Sequence, residues 1–315
     1  MRVNLTLLAL LFPLSQMTDV VAQSRAVGWE WYGFDSDVSR HDAVAVSAGD
    51  RVTTVLTLDG RVFSRGQNTQ GESSAIPLLP PGRRFTQVAS NYVSVAIVDD
   101  GSIRQWGSYP PSNATYPLPI LSGGVSAIKV TAGITFAAAL LSDGTVVAWG
   151  QDHPIYMQLA IPALPANVTY VDIATGALHG YAKRSDGAWV SWGANNWGQR
   201  NTPVIPAGVA IAKVAARYQT TAALLSDGSI QVWGYVSSGV GNVPPPPQGL
   251  GYVDVSVGGS HCLGLLSDGS LVGWGDNAWG QLNVPPLPTG LSYVSFSAGR
   301  VHSVALRSDR KVVPF

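Results

Sequence analysis

The sequence predicts an all-β fold, a seven-bladed β-propeller closed by strands from both termini. Three observations lead there. First, an Asp-Gly pair returns at Asp59-Gly60, Asp100-Gly101, Asp143-Gly144, Asp186-Gly187, Asp227-Gly228 and Asp268-Gly269, with steps of 41, 43, 43, 41 and 41 residues. Asp309-Arg310 falls 41 residues after the last of these, which makes seven units. Second, Trp-Gly follows the turns at Trp106, Trp149, Trp192, Trp233 and Trp274, with Arg65-Gly66 in the first copy. Third, no window holds apolar residues at helical spacing for long, whereas short apolar runs between turn residues recur throughout. A fixed period of about 40 residues with several strands per unit selects a propeller over a sandwich or barrel.

The sixth unit shows the elements in order. Tyr252 to Val257 alternates apolar and small residues as a first strand, and Gly258-Gly259 breaks it. His261 to Leu266 is a second apolar run. It ends at Ser267-Asp268-Gly269, a hairpin turn, because Asp-Gly tolerates the positive φ of tight turns. Ser270 to Trp274 is the third strand, and Gly275-Asp276-Asn277 with a proline-rich return at Val284 to Pro288 leads to the next unit. The five periodic tryptophans, in register with the strands, are assigned to packing between blades, where an indole removes a large apolar area from water. In unit seven Arg310 to Phe315 fits the third-strand slot, yet Val27 to Trp31 (VGWEW) also reads as a third strand. The N-terminal strand is expected to lock the last blade, because an unclosed ring leaves two strand edges open to aggregation.

Ahead of the repeats, Leu5 to Leu14 is an apolar run behind Arg2, and Val20-Val21-Ala22 supplies small residues for a cut after Ala22. The run is shorter than the roughly 20 apolar residues that span a membrane. It reads as a secretory signal peptide over residues 1–22. Residues 23–315 then form one propeller with no room for a second domain. Secretion, extracellular or periplasmic, is the expected destination. No later segment is apolar enough to span a membrane.

Composition removes several functions. Lys and Arg together number 19, as do Asp and Glu, so the net charge is zero. A sequence-independent nucleic-acid binder needs spare basic surface to displace counterions from phosphate, so no nucleic-acid partner is expected. The single Cys262 makes neither an internal disulfide nor a cysteine-based zinc site, and reads as a small buried hydrophobe. His179, His261 and His302 share one repeat position, but Val52, Val93, Phe136 and Thr220 hold it in the other units. A structural hydrogen bond is their expected role, with no metal. The turn aspartates serve the turns and form no close carboxylate pair. Phosphate-cradling loops, a nucleophile elbow and a metal-binding helix are all missing from the sequence, so a non-enzyme without cofactor is expected. Two sequons, at Asn113 and Asn167, matter only in a eukaryotic source.

Gly258 to Leu282 (GGSHCLGLLSDGSLVGWGDNAWGQL) and Ala298 to Asp309 (AGRVHSVALRSD) resemble the repeat of the regulator of chromosome condensation family of β-propellers. The compact period and the Asn-x-Trp-Gly-Gln turns of units four and six are similar to the secreted bacterial members, which include β-lactamase inhibitors. The chain departs from the repeat at Arg65, where Trp is expected, and at Ser90 and Arg217, where glycine is expected. It carries neither the basic tail of the nuclear members nor the paired cysteines of the plant receptor kinases.

Chain direction sorts the loops. If the first strand of each unit runs upward, the loop after it and the loop after Trp-Gly share the top face, while every Asp-Gly turn lies below. The first loops differ most between units and include Arg51, Asn91-Tyr92, Tyr218 and Arg300; the second add Tyr109, Tyr156, Trp197, Tyr235 and Trp279. Tyr, Trp and Arg are enriched in interface hot spots, and binding residues favour loops on rigid scaffolds. The resemblance implies that aromatic residues of these two loop sets contact a partner. Trp197 and Trp279 have an equal claim to packing between blades. The expected function is a secreted, monomeric, non-catalytic propeller that binds an extracellular protein through this face, as an enzyme inhibitor. A carbohydrate-binding propeller is the rival, since Trp and Tyr also stack on sugars. Loops that differ from unit to unit favour the protein partner, and β-lactamase inhibition is implied by the resemblance alone.

Overall fold

Each repeat folds into one blade. The computed structural model describes residues 42–68, 71–109 and 115–315. Among them the strands form seven three-stranded antiparallel sheets, each from three consecutive strands. In blade 1 these are Ala43–Ala48 (β1), Val52–Thr57 (β2) and Val62–Gly66 (β3). Blades 2 to 7 open with Phe85–Ser90, Ala127–Ala132, Tyr170–Thr175, Ile211–Arg217, Tyr252–Val257 and Tyr293–Ala298. These first strands stand side by side, and the last meets β1, so they close a ring around a central axis. Second strands such as VSVAIV and FAAALL are buried along their whole length. Their near-continuous apolar runs reflect a sheet covered on both faces by neighbouring blades.

The turns obey their local chemistry. The six glycines of the Asp-Gly pairs take φ between 77° and 90°, and Arg310 accepts φ 64° in the seventh turn. The aspartate holds the turn from below: Asp268 Oδ1 accepts the Ser270 amide at 2.9 Å and its hydroxyl at 2.7 Å. Those bonds, the hydroxyl first, hold the Asp268 carboxyl below the usual range.

Blade is welded to blade by the repeated tryptophans, all five of which are buried. The indole N–H of Trp192 donates to Gln158 O at 2.9 Å, that of Trp233 to Gln199 O at 3.0 Å and that of Trp274 to Val240 O at 2.8 Å. Trp106 donates to Glu72 O at 3.1 Å. Each acceptor stands 34 residues upstream, in the top loop of the preceding blade. Trp149 is the exception and uses Gln105 Oε1 at 2.7 Å. A Cβ added at Gly180 would lie 2.3 Å from Trp192 Cζ2, so glycine there makes room for the indole.

Blade 7 meets blade 1 directly. The Ala48 amide donates to Ser297 Oγ at 2.9 Å, and Val304 and Leu306 pack with Ala43, Val46 and Val55. Val312–Pro314 pairs with Ser303–Arg307 and fills the third-strand slot of blade 7. Phe315 thereby stands 41 residues after Trp274, in the place of a blade tryptophan. The expected N-terminal strand at Val27 to Trp31, the signal peptide over 1–22 and the sequon at Asn113 lie outside the described residues.

Candidate partner-binding face

Antiparallel order puts the loop after the first strand and the loop after the third strand at the same end of each blade. The inner loops come first. In five units a glycine opens them, and its amide bonds back across the turn, as Gly176 N does to His179 O at 2.8 Å. A Cβ at Gly176 would lie 2.1 Å from His179 Cε1 and 2.9 Å from Tyr218 O, so only glycine fits between the ring and the next loop. Adjacent inner loops are then stitched together: Ala177 N donates to Tyr218 O at 2.8 Å and Gly259 N to Gly299 O at 2.9 Å.

Two units depart, and the departures build the centre of the face. Sequence spacing placed Ser90 in the glycine position of blade 2, but the structure corrects this. Ser90 pairs with Ser94 as Ala48 pairs with Thr53, so the loop is one residue shorter and Asn91 occupies the glycine place. Asn91 was also expected on the binding surface; it is 2% exposed, with its Nδ2 3.5 Å from Ala132 O. In blade 5 Arg217 fills the glycine place. Its side chain is buried and crosses to blade 1, where Nη1 donates to Ala48 O at 2.8 Å. Burial lowers the Arg217 pKa from its ordinary value.

Around Arg217 the structure gathers four of the predicted residues on one buried carboxylate, Asp50. Tyr218 donates its hydroxyl to Asp50 Oδ1, and Arg300 Nη1 lies 3.5 Å and Arg51 Nε 3.8 Å from Oδ2. Tyr92 stands beside them, its hydroxyl pKa raised by burial and then by Asp50. Arg51 and Arg300 keep 50% and 42% of their side chains exposed, against 5% for Asp50.

The outer loops are held from beneath by a buried glutamine. Gln199 Oε1 accepts the Trp197 amide and Gln281 Oε1 the Trp279 amide, each at 2.9 Å. Gln158 Oε1 does the same for His153 N at 3.2 Å. All three glutamines are fully buried. The tryptophans they support point outward: Trp197 is 56% and Trp279 74% exposed. Tyr235 packs edge-on against Trp197 at 4.8 Å, and Tyr156 stacks on His153 at 4.6 Å. Tyr156, Trp197 and Tyr218 line a cleft of about 100 Å³ with Asn196 and Gln219. Tyr109 is a further correction. It was expected among these aromatics, but it is fully buried in the core between blades 2 and 3, with its hydroxyl 3.1 Å from Gln105 Oε1.

The three repeated histidines join blades rather than face solvent. His179 Nε2 lies 2.9 Å from Thr221 Oγ1, His261 Nε2 2.9 Å from Ser303 Oγ and His302 Nε2 3.0 Å from Thr53 Oγ1. The Thr221 and Ser303 hydroxyl protons go to Gln199 O and Gln281 O, so His179 and His261 donate through Nε2–H. Burial lowers all three imidazoles, to about 3 for His179, about 4 for His261 and about 3 for His302. Cys262 is buried, which pushes its thiol up and away from nucleophilic use. Among the described residues no group of three or more His, Cys, Asp or Glu is placed to hold a metal, and no helix is long and apolar enough to cross a membrane.

Sequence reasoning marked Arg217 only as a departure from glycine and gave no site role to Asp50 or the glutamines. A signal existed for two of these: arginine at a glycine position, and glutamine (Gln158, Gln199) 34 residues before a blade tryptophan.

The family model for the regulator of chromosome condensation (RCC1) repeat matches residues 43–72 and 252–281, the two stretches that run from a first strand through the top loop. Two of the seven blades thus carry a match to the regulator of chromosome condensation repeat. No curated protein matches the chain in sequence. Among solved structures it is similar to Prp20p from Saccharomyces cerevisiae, with TM-score 0.71 and 17% identity over 86% of this chain and 83% of that one. Human WBSCR16 is similar with TM-score 0.69 and 18% identity over 87% of this chain and 88% of its own. The CRINKLY WD40 ectodomain of the Arabidopsis thaliana receptor kinase ACR4 follows with TM-score 0.62 and 18% identity over 87% and 95%. At these identities the RCC1-repeat likeness is one of fold.

Proposed function

We propose that this chain is a secreted, non-catalytic propeller that captures another protein through its top face and blocks that protein's activity. One observation carries the reading: Trp197 and Trp279 stand exposed on loops that buried glutamines hold rigid. Large aromatics displayed without loop freedom lose little entropy on binding and make strong anchors. The similar Prp20p is described by its binding to Gsp1p and histones, which shows the fold in a protein-capture role. Secretion rests on the apolar run at Leu5 to Leu14.

The test immobilises the chain and a Trp197→Ala, Tyr235→Ala, Trp279→Ala variant, and exposes both to medium conditioned by the source organism. A protein held by the first and lost by the second, with matching circular dichroism, is the expected result. Equal retention on both refutes the assignment of the face. Activity of the captured protein is then measured with and without added chain; an unchanged rate rules out inhibition while leaving capture intact.

A further inference from the structure

The inner loops at the centre of the top face carry a net positive charge, with Glu72 of the outer loop of blade 1 lining the pocket beside Arg51. Among the charged residues of the seven inner loops, Arg51, Arg217 and Arg300 stand against the single carboxylate of Asp50. Both oxygens of that carboxylate are already engaged, one by Tyr218 and the other by Arg300. Arg217 is buried, yet its Nε and Nη2 make no hydrogen bond. A buried guanidinium is poorly screened by solvent, so its charge reinforces the field at the mouth of the axis. Arg51 and Arg300 flank that mouth with guanidinium groups that reach solvent, and guanidinium pairs best with carboxylate, often through two parallel bonds.

Beside this charge lies the cleft between blades 3, 4 and 5. Tyr218 joins the two, its hydroxyl on Asp50 and its ring in the cleft wall. No lining side chain of the cleft is charged. The Arg217 guanidinium already sits 5.9 Å from the centre of the Tyr218 ring, which disfavours a second cation there. The cleft volume, about 100 Å³, is also informative. A closed cavity that holds benzene measures about 150 Å³, so this open cleft has room for a branched aliphatic side chain.

We infer that the partner presents an Asp or Glu side chain to Arg51 and Arg300, next to an aliphatic side chain that enters the cleft of Tyr156, Trp197 and Tyr218. This rests on the protein-binding reading above and adds the chemistry of the partner. The probe is a random peptide display library selected on the immobilised chain, followed by one synthetic selected peptide measured by fluorescence anisotropy. Enriched sequences are expected to place Asp or Glu near Val, Leu, Ile or Pro. Binding of the peptide should weaken roughly tenfold between about 0.05 and about 0.5 M salt, as screening predicts. Arg51→Gln with Arg300→Gln should weaken it by a similar factor, and Arg51→Lys with Arg300→Lys should keep most of it. Enrichment of basic or uncharged peptides, or no enrichment, overturns the inference. Loss of binding with Trp197→Ala but not with the arginine pair removes the carboxylate contact and leaves the protein-binding face standing. Undiminished binding by both variants removes both.

Discussion

Acid should unfold this propeller before its carboxylates are neutralised, and three buried histidines set the slope. Burial lowers His179, His261 and His302 to about 3, about 4 and about 3, with the nearby Arg217 adding to the effect at His261 and His302. In the unfolded chain each imidazole titrates near 6.5. Between these values the unfolded state binds a proton that the folded state refuses, so stability is complete above about pH 6.5 and falls as the pH falls. Each group contributes about 1.4 kcal/mol per pH unit, and three contribute about 4 kcal/mol between roughly pH 6 and pH 5. That is a large part of the 5–15 kcal/mol by which domains are typically stable. The turn carboxylates act later: Asp143, Asp227 and Asp268 are held below the ordinary carboxylate range by their Ser or Thr neighbours. Urea unfolding followed by tryptophan fluorescence, repeated between about pH 7.5 and about pH 5, measures the slope. The structure also supplies a control. Blades 2 and 3 use Val93 and Ala137, packed in one apolar cluster, where blades 7 and 1 use His302 and Thr53. His302→Val with Thr53→Ala copies that pair and should remove about a third of the slope. A stability that stays flat from about pH 6.5 to 5, or a slope the double variant leaves intact, would refute the reasoning.

The remaining predictions concern the weld and the display. Trp192→Ala should cost about 3–5 kcal/mol, and Trp192→Phe about 1–3 kcal/mol because Gln158 O loses its donor; urea midpoints decide, and a loss below about 1 kcal/mol for the alanine variant removes the packing role. Trp279→Ala should change stability by no more than about 0.5 kcal/mol, since the indole is exposed, while partner capture falls. Gln281→Ala leaves the Trp279 amide without its acceptor, so amide hydrogen exchange at Trp279 should quicken at least severalfold while exchange in the blade strands stays unchanged.

The architecture was legible because it is written in local chemistry repeated at a fixed interval. An Asp-Gly turn and a Trp-Gly strand end mean the same thing wherever they occur, and the ring merely counts them. The site was less legible, because its members are brought together across the ring. His302 meets Thr53 at a separation of 249 residues, and Arg217 meets Ala48 at 169. Asn91 was misplaced because counting back from Val93 conceals a loop one residue short. Tyr109 was misread because type and position in a loop do not reveal whether a ring turns outward; Tyr235, two residues beyond its blade tryptophan, does so and Tyr109, three beyond, turns into the core. Arg217 was visible as a glycine replaced, but no sequence signal states where so long a side chain ends.

The indole bonds that reach back 34 residues have a consequence for how such a chain changes over time. The carbonyl that fixes the outer loop of one blade is gripped by the tryptophan of the next, so a loop and its clasp belong to different repeats. Deleting a blade would therefore slacken the loop of its neighbour, which keeps all of its own residues. The heritable module is thus offset from the visible blade: it runs from the outer loop at Gln158 through the following strands to Trp192. Between one such module and the next, Asn196 and Trp197 can be exchanged while the Gln199 carbonyl keeps its donor from Trp233. At the end of the ring the rule lapses, since the Phe315 side chain has no N–H to offer Gln281 O, which keeps the Ser303 hydroxyl as donor just as Gln199 O has Thr221 beside Trp233. New binding specificities would be tried most cheaply in the loops that retain their clasp.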